Sequence, residues 1–247
     1  MPAVSCRFSF DIAEWHASSD RLADDAQWQA WAKAPQSFDL TAEHKPALAF
    51  LPAMQRRRLS RSARLVCDAA WALADRHPAA PLVYASHDGE LNRSFELWLE
   101  LMKSGTVSPT SFGLSVHNAL AGQWAVLRGD MRENTALAVG ADGLEAALAE
   151  TCALLEEGAE SVLLVIADDP LSDGYAVKAE RAPFAYALAM VVTKGSRYTL
   201  ALTDRPSENL PEAPYWGALD WIRFMLADGS EAIRNYGTRT WIWSKQP

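Results

Sequence analysis

The sequence predicts a layered α/β fold, and three observations carry that reading. Between residues 60 and 169, helical patterns alternate with short apolar runs, the order expected of helices stacked on a sheet. One of those runs, SVLLVIADD from Ser161 to Asp169, is nearly all apolar, as a strand buried on both faces must be. The chain has 247 residues, 49% of them hydrophobic, which is enough for one substantial core. No internal repeat or long flexible linker interrupts it. A single domain over residues 1–247 is expected, ending in a Trp-rich C-terminal extension from about 212 to 247.

The elements follow in order. Residues 1–50 are loosely patterned, and Trp15, Trp28 and Trp31 are expected to pack on a core edge. The run Gln55 to Arg64 holds five arginines in an otherwise acidic chain. It reads either as a solvated helix start or as a docking patch for an acidic partner. Leu65, Ala69 and Ala72 recur at helical spacing within Ser60 to Asp75, and Pro78 and Pro81 end that helix. PLVYASHDG, Pro81 to Gly89, predicts a short strand closed by a turn.

Arg93 to Lys103 predicts an amphipathic helix, stopped by Gly105 and Pro109. Leu114 to Leu127 is rich in small residues and predicts a helix packed closely in the core. Asn134 to Gly140 predicts a short strand, and Asp142 to Gly158 a long helix ending at glycine. After the buried strand, Phe184–Gly195 and Arg197–Asp204 are expected to form an antiparallel pair joined around Gly195. The tail from Tyr215 to Trp243 predicts one helix and carries four of the ten tryptophans.

Composition removes several function classes. A net charge of −8 argues against nucleic acid as the main partner. No apolar stretch approaches the roughly 20 residues that span a bilayer, and the N-terminus lacks the pattern of a secretory leader. Cys6, Cys67 and Cys152 have no metal-ligand or CxxC spacing, so neither metal nor cofactor is expected and a reducing, cytoplasmic setting is. Cys67 and Cys152 read as packing residues within helices. His16, His44, His77, His87 and His117 stand apart from any catalytic motif. Ser86, His87 and Asp88 are consecutive, and consecutive strand residues point to opposite faces, so they read as a turn and not as a triad.

Four motifs carry a resemblance: HNALAG (His117 to Gly122), LRGD (Leu127 to Asp130), NTALAVGADGL (Asn134 to Leu144) and EEGAESVLLVIADD (Glu156 to Asp169). In this order they resemble the amino-terminal half of the β-ketoacyl synthases of the thiolase-like superfamily. QRRRLSR (Gln55 to Arg61) is similar to that family's early helix, and RAPFAYALAMVV (Arg181 to Val192) to its strand pair after the acidic residue. The resemblance implies a thiolase-like α-β-α fold in a single half, an N-terminal-type ketosynthase domain.

Two departures separate this sequence from an active synthase. The nucleophilic cysteine is replaced, by Gly140 if Gly143 and Leu144 are matched to the family's glycine-leucine, or by Ala141 if the count runs back from Gly158. Neither side chain can form a thioester. The two active-site histidines belong to the family's carboxy-terminal half, and no counterpart is expected here. The sequence is similar in this respect to chain-length factors, the inactive partners of active ketosynthases, and to the chain-length-factor-like proteins of bacterial aryl polyene biosynthesis.

The resemblance implies a heterodimer with an active β-ketoacyl synthase, in preference to a homodimer. Its interface is expected along Asn134, Thr135, Leu137 and Val139, with His117 and Asn118. Ser111 and Phe112 are expected at the partner's acyl tunnel. Phe112 either limits product length there or is an ordinary core residue. Arg56, Arg57, Arg58 and Arg61 are the candidate dock for an acyl carrier protein. The competing readings are a stand-alone carrier-binding module and a small serine-dependent acyltransferase or hydrolase on the same fold.

Overall fold

A computed structural model describes residues 4–172, 174–176, 179–203 and 216–246. Among the described residues, seven strands form one sheet. Its framework is a long antiparallel ribbon of β1 (Val4–Ser19) and β5 (Tyr186–Thr203). The outer edge of β5 is shared. Residues 186–193 pair with β4 (Ser161–Asp168), and residues 198–203 pair with β7 (Arg239–Lys245). Beyond β4 lie β2 (Leu82–Ser86) and then β3 (Asn134–Ala138), both parallel to it in sense; beyond β7 lies β6 (Glu231–Tyr236).

Helices cover both faces of the sheet. Strand alternation sorts the side chains: on β4, Val162, Leu164 and Ile166 face one core, while Leu163, Val165 and Ala167 face the other. The first core takes α1 (Asp25–Lys33), α7 (Gly143–Glu156) and α8 (Ala218–Leu226); the second takes α3 (Arg61–Arg76) and α6 (Ala119–Arg128). On β5 the second face is small, with Ala187 and Ala189, and α3 meets it with Ala63, Ala69 and Ala70. Small residues on both sides let helix and strand approach closely, which is how a chain rich in alanine still fills its core. The apolar run of β4 is buried on both faces, as its composition requires.

Three expectations need correction. Residues 1–50 are not merely loosely patterned: 16 of them form β1, one side of the central ribbon. The segments on either side of Gly195 are not a hairpin but two halves of one strand, β5. The register jumps from Phe10–Tyr198 to Asp11–Thr193, so four residues of β5 bulge outward without reversing the chain. The Asp11 carboxylate fills the space inside this bulge and accepts the Arg197 N–H at 2.8 Å. A Cβ on Gly195 would stand 2.0 Å from Asp11 Cγ, so the glycine serves close approach and not a turn.

The third correction concerns the arginine run, which is not one helix. Arg56–Arg58 end the short helix α2 (Ala53–Arg58), the chain extends at Leu59, and Ser60 then caps α3 by accepting the Ala63 N–H. Residues 114–118 likewise precede α6, which starts at Ala119. The described part of the expected C-terminal extension supplies α8, β6 and β7, and its residues 212–215 lie outside the described residues.

Candidate functional site

β3 is an edge of the sheet, hydrogen-bonded to β2 alone among the described strands. Asn134 and Ala138 are exposed, while Thr135, Ala136 and Leu137 are half-buried. The Val139 N–H donates to the Ser86 carbonyl at 3.2 Å. In a parallel ladder alternate residues bond to alternate sides, so the N–H groups of Ala136 and Ala138 face away from the sheet. This strand runs through Gly140 and Ala141, both exposed, into the first turn of α7. A Cβ on Gly143 would meet Val139 Cγ2 at 2.4 Å, so the start of α7 sits directly on the end of β3.

The C-terminal ribbon holds that junction from beneath. Asp142, at the N-cap of α7, accepts from Arg239 Nη2 at 2.9 Å and from Trp241 Nε1 at 3.2 Å. One turn on, Glu145 is wholly buried, and a single oxygen accepts both Trp243 Nε1 (2.9 Å) and Tyr236 Oη (3.3 Å). Its other oxygen has no hydrogen-bond partner among the described residues. Burial pushes the Glu145 carboxyl up to about 7, against the pull of the hydrogen bonds it accepts. Sequence reading missed this network. The signal was present in Trp241 and Trp243, two residues apart and therefore on one face of a strand.

Upstream of the edge strand the surface is unusually apolar. Among the described residues, eight of the twelve exposed large apolar side chains fall between Leu91 and Met131. Trp98 (56% exposed), Leu101 and Met102 lie on α4 (Leu91–Ser104), and Phe112 (61%) on the single turn α5 (Pro109–Gly113). Phe112 is therefore not a core residue of this chain. Ser111, half-buried, precedes it, and its N–H is taken by the capping Ser108 hydroxyl at 3.4 Å. His117 is held with its Nε2 3.0 Å from the Ser86 carbonyl, and the exposed Asn118 is the N-cap of α6.

The predicted arginines do not all face one way. Arg56, Arg57 and Arg61 line a cleft between α2 and α3, whereas Arg58 is exposed outside it. Arg61 is neutralised by Asp20 (3.1 Å) and by Asp169.

Ser86, His87 and Asp88 do form a turn. The Ser86 hydroxyl accepts the Gly89 N–H at 2.9 Å, and His87 Nδ1 lies 2.9 Å from Asp88 Oδ1. Asp88 is further bound by Arg181, which with His87 holds its carboxyl below the usual range although burial acts the other way. Burial pushes the Cys67 thiol up to about 12 and that of Cys152 up to about 11. Both are then neutral thiols that act as packing. Among the described residues no group of histidine, cysteine and carboxylate side chains could hold a metal ion, and no helix is long and apolar enough to cross a membrane.

A family model described as β-ketoacyl synthase, N-terminal domain, matches residues 28–244. No curated protein matches significantly. Among solved structures, a chain in the complex of the ketosynthase ApeO with its chain length factor ApeC, from Xenorhabdus doucetiae, is 25% identical with a TM-score of 0.84. The match covers 96% of this chain and 100% of that one. The ishigamide ketosynthase/chain length factor is similar at 14% identity and a TM-score of 0.58, over 82% of this chain and 69% of that one. A β-ketoacyl synthase from Burkholderia phymatum STM815 gives 12% and 0.54, over 83% and 67%. The last two show likeness of fold alone; the family match and the first structure give the thiolase-like ketosynthase fold of a single N-terminal domain.

Proposed function

The chain belongs to the β-ketoacyl synthase family through its N-terminal domain, and from that premise we propose that it is a non-catalytic chain-length factor. In this reading it pairs with an active ketosynthase of aryl polyene biosynthesis in the cytoplasm and helps to shape the acyl tunnel.

One observation carries the reading: the edge strand β3 leads into a helix start at which Gly140 and Ala141 offer no nucleophile. An unpaired strand edge needs a cover, and a partner strand lying along Asn134, Thr135, Leu137 and Val139 would supply it. His117 and Asn118, close by in sequence to the apolar tract, would join that interface. The extensive likeness to a chain of a ketosynthase–chain length factor complex supports the same assignment. The exposure of Phe112 supports a place for its ring against a partner, where its bulk would limit the acyl chain by excluded volume. Arg58 and its neighbours on α2 would serve as a carrier-protein dock, because an exposed guanidinium with no carboxylate partner among the described residues can meet an acidic surface.

The test is co-expression with candidate ketosynthases, followed by native mass and product analysis. The expected result is a one-to-one complex whose polyene is lost or altered when this chain is omitted. A chain that stays monomeric or forms only homodimers, with the ketosynthase product unchanged, overturns the reading.

A further inference from the structure

The loop around His44, helix α2 and the first turn of α3 enclose a cleft of about 730 Å³. That volume suits a small-molecule ligand. Part of its lining is apolar, formed by Pro46, Ala47, Leu59 and Leu65. The remainder is dominated by cations whose charges are unevenly matched. Arg61 and Arg21 are paired with Asp20, Glu43 and Asp169.

Four other cations that line the cleft have no such partner among the described residues. Arg56 donates Nη1 to the Ala47 carbonyl at 2.9 Å, and Arg64 donates to the carbonyls of Pro46 (3.1 Å) and Arg56 (2.6 Å). Carbonyl oxygens fix the direction of these guanidinium groups without cancelling their charge. Lys45 and Arg57 have neither an ion pair nor a side-chain hydrogen bond among the described residues, although both line the cleft. Four unmatched cations around one concavity, in a chain of net charge −8, create a local potential that favours a multiply charged anion. A single carboxylate would leave most of that charge unanswered. A phosphate carries more charge and presents several oxygens to guanidinium and ammonium donors.

We propose that this cleft binds a phosphate-bearing group, its phosphate between Lys45 and Arg57 and an attached apolar portion on the lining at Leu59 and Pro46. The group comes either from a free small molecule or from the phosphate of a carrier protein's prosthetic arm. The cleft itself is inferred from its charges and shape and does not depend on the chain-length-factor reading. The carrier source alone rests on that reading.

Calorimetric titration of the full chain with phenyl phosphate, at low and at physiological salt, tests the proposal. Saturable binding is expected that weakens as salt rises. It should weaken by roughly tenfold or more when Lys45→Glu is combined with Arg57→Glu, and stay unchanged in Arg7→Glu, an exposed site near the start of β1, at the opposite end of that strand from the cleft. Absence of saturable binding by the unaltered chain, indifference to salt, or equal affinity in the double variant overturns it. The first two readouts need no variant, so misfolding of the double variant does not shield the proposal. Carrier protein titrated with and without its phosphate-bearing arm separates the sources: tighter binding with the arm supports the cleft as the arm's site, and equal binding supports the free molecule. If phenyl phosphate fails while carrier protein binds and Arg58→Glu abolishes that, the cleft proposal is lost and the carrier-docking reading survives.

Discussion

The indole N–H of Trp243 donates to the Glu145 carboxylate at 2.9 Å, and both side chains are wholly buried. This bond ties β7 to the first turns of α7, the helix that follows the exposed Gly140 and Ala141.

Glu145 makes stability depend on pH. Its carboxyl titrates at about 7 in the folded chain against the usual 4.5, so the folded state holds the proton more tightly. The stabilisation is fully present below the unfolded value and is lost as pH rises through the folded one. The interval corresponds to about 3 kcal/mol. Glu145→Gln keeps an acceptor for Trp243 and Tyr236 without the charge. Thermal unfolding across this range should give a Glu145→Gln stability that gains on the parent chain as pH rises from 4.5 to about 7. A constant difference would mean that the group does not titrate in that window.

Gly195→Ala should destabilise the chain by about 2–4 kcal/mol, because the new methyl group collides with Asp11. Adding Asp11→Ala should recover part of that loss by emptying the bulge, even though the Arg197 N–H then loses its acceptor. Chemical denaturation of the two single variants and the double variant checks it. Additive losses would show that the carboxylate and the glycine are independent.

Ala138→Pro removes an N–H that faces away from β2, on an exposed residue of an edge strand. An edge tolerates proline there. Unfolding temperature should stay within a few degrees of the parent, while co-purification with the ketosynthase is lost. Retention of the complex would move the interface away from β3.

Phe112→Ala removes an exposed ring and should cost the isolated chain less than about 0.5 kcal/mol. In the complex it should lengthen the polyene, read by mass spectrometry of the product. An unchanged length from an intact complex would remove Phe112 from that role.

Much of the fold was legible because its strongest signals are local. The apolar run of β4, the helical spacing of α3 and α7, and the short β2 and β3 all stand where their patterns put them. The reading of Cys67 and Cys152 as packing residues agrees with the burial that pushes both thiols up. β1 was hidden because polar and apolar residues are mixed along it, and its order comes from a partner about 180 residues away in sequence, such as Thr193 opposite Asp11. Gly195 misled for a related reason: glycine permits a turn and close approach equally well, and only Asp11 across the ribbon decides between them.

The sequence by itself determined the layered α/β class, the order of motifs that places the chain among the β-ketoacyl synthases, and the lack of a nucleophilic side chain at Gly140 and Ala141. Those are properties of residue identity and short-range periodicity. Tertiary structure decided that β3 is an edge among the described strands, that Trp241 and Trp243 brace the start of α7, and that the arginine run opens into a cleft in which Lys45 and Arg57 have no ion pair among the described residues. Each of these depends on which distant segments meet, and the opposing charges and packing surfaces that fix those meetings lie far apart along the chain.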